Sequence, residues 1–235
     1  MPVEEMYRVA LWRTLVRPVM RAGFRALFHI LAPVKVSGRK NLPPRPYLVA
    51  INHVSLYDPP FIMSFWPEAL EVMGAMDVWK RKGQGILANL YGGIPVHRGE
   101  YDRRLFDRVV AVLRSGYPLL IAPEGGRSHV TGMQRAKPGV AYIVEQTGVP
   151  VIPVGIVGTT DDFWERASRG ERPPLEMRIG RPIRLPAIEG KGSERRESRQ
   201  RNADIVMGHI AGLLPEDYRG VYANQATISS VETGK

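Results

Sequence analysis

Between residues 47 and 185 the chain repeatedly alternates short apolar runs with segments of helical period, and few architectures accept that pattern. Apolar runs at 47–51, 71–76, 119–122 and 151–157 are too short for helices and read as buried strands. Between them, 79–90, 103–113 and 139–147 carry apolar residues at helical spacing, such as Leu105, Val109, Val112 and Leu113. A further strand near 176–185 and a helix near 195–214 follow. The expected fold class is α/β, a mostly parallel central sheet flanked by helices. A chain of 235 residues is long enough to bury such a core as one domain. With no cysteine, disulfides, thiol catalysis and cysteine-ligated metals are excluded.

The amino-terminal segment is different. Residues 4–32 read as an amphipathic helix, with Arg8, Arg13, Arg17, Arg21 and Arg25 recurring along one face. Trp12, Leu15, Val19, Phe24, Phe28 and Leu31 are among the apolar residues beside them. Residues 1–45 hold nine Lys/Arg against Glu4 and Glu5, a net of +7 out of +10 for the whole chain. Such loading suits an acidic surface, either nucleic acid or anionic lipid, and the apolar face favours lipid. The arginine stripe is expected to face the headgroups, and Pro18 to kink or split the helix. No stretch approaches the roughly 18 uncharged apolar residues of a spanning helix, and no secretory signal is visible. The organisation expected is a docking segment at 1–32, a domain at 33–222 and a polar, disordered tail at 223–235.

Two places repeat a histidine and an aspartate with four residues between them: His53 with Asp58, and His97 with Asp102. About 0.2 such spacings are expected by chance, so spacing alone does not choose. A carboxylate on one imidazole nitrogen fixes the tautomer and leaves the other nitrogen to take a proton. His53 follows a strand end, where open α/β sheets place their sites, whereas Asp102 precedes a helix and suits a cap.

After the strand at 119–122 comes Pro123-Glu124-Gly125-Gly126-Arg127-Ser128. Adjacent glycines let backbone amides approach an anion, and Arg127 can grip phosphate with two bonds. Glu124 can orient Arg127 or a substrate hydroxyl; the alternative is an ordinary strand-to-loop turn. Arg98, in Ile94-Pro95-Val96-His97-Arg98, is a second phosphate candidate. Pro150 and Pro153 in the run at 148–155 suit a shaped rim or a sheet edge better than a central strand. There is no Gly-x-Ser-x-Gly elbow, phosphate loop or His-Glu-x-x-His.

In this order, with these gaps, the blocks resemble the glycerolipid acyltransferase family, most closely its 1-acylglycerol-3-phosphate acyltransferases. The resemblance runs over residues 36–222 and includes Lys137-Pro138-Gly139 and the closing stretch at 214–222. Gly126 and Ala122 depart from the family's usual threonine and phenylalanine. The resemblance implies that His53 is a general base oriented by Asp58, and that Arg98, Glu124, Gly125 and Arg127 hold the acceptor's phosphate region. It implies direct transfer from an acyl thioester, carried by coenzyme A or acyl carrier protein, with no bound cofactor and no metal. The acceptor implied is a lysophospholipid, with glycerol-3-phosphate and glycolipids as alternatives. The location implied is the cytoplasmic face of an anionic membrane, peripherally held. A lipid or thioester hydrolase would need a nucleophile or activated water, and a nucleic-acid module would leave the apolar helix face unexplained.

Overall fold

The computed structural model describes residues 6–97 and 102–225. Helix α1 (Leu11–Leu31) leads into β1 (Val34–Ser37), and β2 (Leu48–Ile51) into α2 (Asp58–Phe65). Next come β3 (Glu71–Ala75), α3 (Asp77–Lys80), α4 (Gln84–Tyr91), β4 (Ile94–Val96) and α5 (Arg103–Arg114). The chain continues through β5 (Leu119–Ile121), α6 (Gly139–Thr147), β6 (Val151–Val157), α7 (Phe163–Ser168), β7 (Leu175–Ile179) and α8 (Gly192–Ala211). The seven strands form one sheet in the order β1-β7-β6-β2-β5-β3-β4. All neighbours pair in parallel except β6 with β7.

The expected α/β layering is therefore present, with a core on each face of the sheet. Alternate residues of β2 serve opposite faces, as a pleated strand requires. Leu48 and Ala50 join Val109, Leu113, Ile143, Val206 and Ile210 beneath α5, α6 and α8. Val49 and Ile51 join Phe28, Phe61, Phe65, Trp66 and Phe163 beneath α1, α2 and α7.

Helix α1 overturns the expected orientation of the arginine stripe. Arg17 is buried, pairs with buried Glu71 (Nη2 to Oε2, 2.8 Å) and donates to the Tyr91 carbonyl at 2.8 Å. Arg21 donates to the carbonyls of Met63 (2.9 Å) and Trp66, and Arg25 to that of Ser64 at 2.6 and 3.0 Å. These carbonyls lie at the carboxyl end of α2, where a helix runs out of its own donors and favours positive charge. Arg21 and Arg25 thus cap α2, and the side of α1 turned to solvent is apolar: Leu11 is 86% exposed, Leu15 75%, Val19 73% and Ile30 72%. Helix α2 was not among the helices expected from the sequence; it opens on Asp58-Pro59-Pro60. Both prolines fall in its first turn, where a missing N–H costs nothing. Pro18 does not split α1. It lies on the solvent side, between arginine contacts that hold the helix on both flanks.

Other differences are local. The single helix expected at 79–90 is two, α3 and α4, separated at Gly83 with φ +80°. Strand β6 is central, not an edge. Its Pro153 carbonyl still accepts from Gly180 at 2.8 Å, just beyond the last β6–β7 pair. A 3-10 turn at Gly220–Gln225 occupies the start of the expected disordered tail. The rest of that expectation falls outside the described residues, as do Glu4, Glu5 and Arg98.

Candidate active site

Three adjacent parallel strands, β5, β2 and β6, end side by side, and the loops after them are hydrogen-bonded into one cluster. Asn52 extends the ladder past β2: its side chain exchanges two hydrogen bonds with the Ile156 backbone, at 2.9 and 2.8 Å. The next residue, His53, is thereby fixed as the point where the chain leaves the sheet.

His53 Nδ1 lies 2.8 Å from Asp58 Oδ2. Asp58 is fully buried on the first residue of α2. Its Oδ2 also accepts from the Ser55 amide at 2.9 Å, and its Oδ1 accepts from the Thr159 hydroxyl after β6. With Nδ1–H donated to Asp58, Nε2 is the ring atom left to take a proton. Among the described residues no hydroxyl is hydrogen-bonded to the His53 ring. Ser55 Oγ accepts from Tyr57 N at 3.0 Å, and Ser128 Oγ donates to the Val130 carbonyl. The other His–Asp spacing forms no comparable pair: Asp102 caps α5, accepting from Leu105 N at 3.1 Å, and His97 is exposed.

The loop after β5 is zipped to the His53 loop through its backbone. Ser128 N donates to the His53 carbonyl at 2.9 Å and His129 N to that of Val54 at 3.1 Å. Glu124 is buried, with one oxygen accepting from His53 N (2.9 Å) and the other from Gln134 N (2.7 Å). Both oxygens are thus engaged by backbone donors instead of Arg127. Burial pushes its carboxyl up to about 7, against the lowering effect of the two backbone bonds and of His53. Gly125 has φ +71°, and a Cβ there would come within 2.8 Å of the Lys137 side chain. The glycine therefore lets Lys137 lie across the loop. Arg127 is half-buried and directly precedes Ser128, whose amide is bonded to His53.

The structure brings His53, Asp58, Glu124, Gly125 and Arg127 together, while Arg98 is outside the described residues. Sequence reasoning missed Thr159, the placement of Lys137, and a second pair at the rim, His129 Nδ1 to Asp161 Oδ2 at 2.8 Å. His129 holds φ +60°, unusual for a residue with a Cβ. These partners are remote in sequence, so no spacing could have announced them.

Comparison with known proteins adds independent observations. The profile of a family described as Acyltransferase matches residues 33–157. The mouse 1-acyl-sn-glycerol-3-phosphate acyltransferase alpha is 26% identical over 156 residues, 64% of this chain. The match spans only 54% of that relative's length. A 1-acyl-sn-glycerol-3-phosphate acyltransferase of Pseudomonas aeruginosa is 25% identical over 97% of this chain and 83% of its own. A lyso-ornithine lipid O-acyltransferase of the same organism is 30% identical, covering 64% of this chain and 63% of its own. The crystal structure of the 1-acyl-sn-glycerophosphate (LPA) acyltransferase of Thermotoga maritima superposes with a TM-score of 0.59 at 25% identity, covering 83% of this chain and 79% of that one.

Proposed function

Because this chain belongs to the acyltransferase family, we propose that it moves a fatty acyl group from a thioester to the sn-2 hydroxyl of 1-acylglycerol-3-phosphate, giving phosphatidic acid. One observation carries the reading: a histidine held by a buried aspartate at a sheet's carboxyl edge, with no hydroxyl among the described residues bonded to it. A base so placed can act on a hydroxyl brought by a second substrate. His53 Nε2 takes the acceptor's proton as its oxygen attacks the thioester carbonyl carbon. The carbon–sulfur bond then breaks, and the proton passes from Nε2 to the departing thiolate. Asp58 stabilises the transient imidazolium. No acyl-enzyme forms and no metal is called for; coenzyme A or acyl carrier protein brings the acyl group.

Arg127 and Lys137 supply positive charge for the acceptor's phosphate, with Arg98 a further contributor. Glu124 acts on the backbone of His53 and so positions the base. The acceptor is a lipid, which gives the exposed apolar side of α1 its role: Leu11, Leu15, Val19 and Ile30 lie in the headgroup boundary at the cytoplasmic face. Among the described residues no helix is long and apolar enough to cross a membrane.

A lyso-ornithine lipid acceptor is the second reading, motivated by the 30% identical Pseudomonas relative. A panel of acceptors with labelled acyl-coenzyme A and acyl carrier protein separates the two. The proposal expects transfer to 1-acylglycerol-3-phosphate to exceed transfer to acceptors without phosphate. Preference for the ornithine lipid would overturn it.

A further inference from the structure

Arg17, Arg21 and Arg25 of α1 are turned to carbonyls and to Glu71, which takes most of the α1 arginine face away from an anionic leaflet. The carboxyl end of β3 lies at the same end of the sheet as His53, and α3 follows it directly. Then come Lys80, Arg81 and Lys82, all exposed. They immediately precede the amino end of α4, where cations oppose the helix dipole. Lys80 and Arg81 also close the four-residue α3, whose carboxyl end favours cations, but α4 gives no such reason for Lys82. Among the described residues, Lys80 alone of the three pairs with an acid, Asp77 at 3.3 Å, and both are well exposed.

Helix α4 runs back from that basic run beside α1. Tyr91 O at its far end accepts from Arg17, and Gly92 just beyond lies against the Arg13 guanidinium. Its solvent side is apolar: Ile86 is 64% exposed, and Leu87 and Leu90 are exposed with it. Spacings of one, three and four place these residues on one face. Two neighbouring helices thus each leave an apolar side uncovered, and a cationic run sits at the end nearest the active site.

We propose that α4 and the Lys80-Arg81-Lys82 run form a second docking element, which seats the protein on an anionic bilayer with the His53 end of the sheet at the lipid surface. Ile86, Leu87 and Leu90 enter the headgroup boundary beside the outer face of α1, and the three cations meet lipid phosphates. The inference rests on the reading of the acceptor as a membrane lipid. An acidic carrier protein would also suit the cations, but it would not account for the apolar residues beside them.

The test uses the full chain and sedimentation with vesicles of phosphatidylcholine alone or mixed with phosphatidylglycerol. Replacing Lys80, Arg81 and Lys82 together by glutamine is expected to weaken binding to mixed vesicles about tenfold or more and to flatten its salt dependence. Binding to phosphatidylcholine alone should not change. Ile86→Ser should weaken binding to both vesicle types. Thermal unfolding verifies that the variants are folded, and activity on a short-chain soluble acceptor should match wild type, which keeps the acyltransferase reading separate. Unchanged vesicle binding by the triple variant would overturn the proposal. So would a loss seen only as slower turnover with acyl carrier protein as donor, which would assign the patch to that protein.

Discussion

Asp58 is surrounded by His53, the Ser55 amide and the Thr159 hydroxyl, so its carboxylate admits one orientation of the histidine ring. His53→Ala is expected to lower turnover about a hundredfold or more, while His97→Ala leaves it near wild type. The reverse ranking, measured by steady-state kinetics on folded variants, would place the base at His97. Asp58→Asn should also cost about a hundredfold or more, because an amide NH2 facing Nδ1 selects the wrong tautomer. Glu124 makes a separate, pH-dependent prediction. Its carboxyl sits at about 7 in the folded chain against an ordinary value of 4.5, so the native state holds that proton more tightly than the unfolded state. Its contribution is complete below about 4.5 and is lost as pH rises through 7, a change of about 3 kcal/mol. Glu124→Gln should remove that component, and denaturant titrations at pH 5 and pH 8 measure it. An unaltered pH profile would contradict the assignment. The His53–Asp58 pair was legible because the two partners are only five residues apart in the sequence. Thr159 and the backbone role of Glu124 were not, since each depends on strands that meet only in the folded sheet.

Among the elements, α1 is the most instructive. Its period was legible, and so was the existence of an arginine face, but not the direction that face points. A charged stripe and an apolar stripe on one helix determine that two environments exist, without assigning either to the protein. Here the arginines turn inward because α2 ends beneath them with open carbonyls. Arg17→Ala should therefore lower stability by about 3–5 kcal/mol by leaving Glu71 buried without its cation, the Tyr7 hydroxyl its remaining side-chain donor. Replacing Arg17 by Met and Glu71 by Leu together should recover most of that loss, as seen in the unfolding midpoint. Equal destabilisation of the single and double variants would mean that the pair is not the cause. Leu15→Ser and Val19→Ser, on the opposite side, should each change stability by only about 0.5 kcal/mol or less. Both should weaken binding to neutral and anionic vesicles alike, as expected of side chains that enter lipid. Full retention of vesicle binding would remove α1 from the contact.

At the scale of the molecule, the alternation of strand and helix was enough to give the layers, and the parallel sheet followed from it. The antiparallel β6–β7 pair and the short edge strands β1 and β4 were not legible, because three or four residues carry too little pattern. Net charge likewise misled about location: several of the clustered amino-terminal arginines serve the interior, while a shorter basic run at Lys80, Arg81 and Lys82 is open to solvent. One consequence is that the amino-terminal segment is no detachable anchor. Phe28 belongs to the core and Arg17 to a buried pair, so deleting residues 1–32 should destabilise the whole domain. Circular dichroism and thermal melts of the truncated chain check this. The most direct test of the central claim is a single-turnover experiment with labelled acyl-coenzyme A, with and without 1-acylglycerol-3-phosphate. Direct transfer predicts that label moves to phosphatidic acid only when acceptor is present, that no label stays on the protein, and that His53→Ala abolishes the transfer. Release of free fatty acid at the same rate without acceptor, or label retained on the chain, would contradict it.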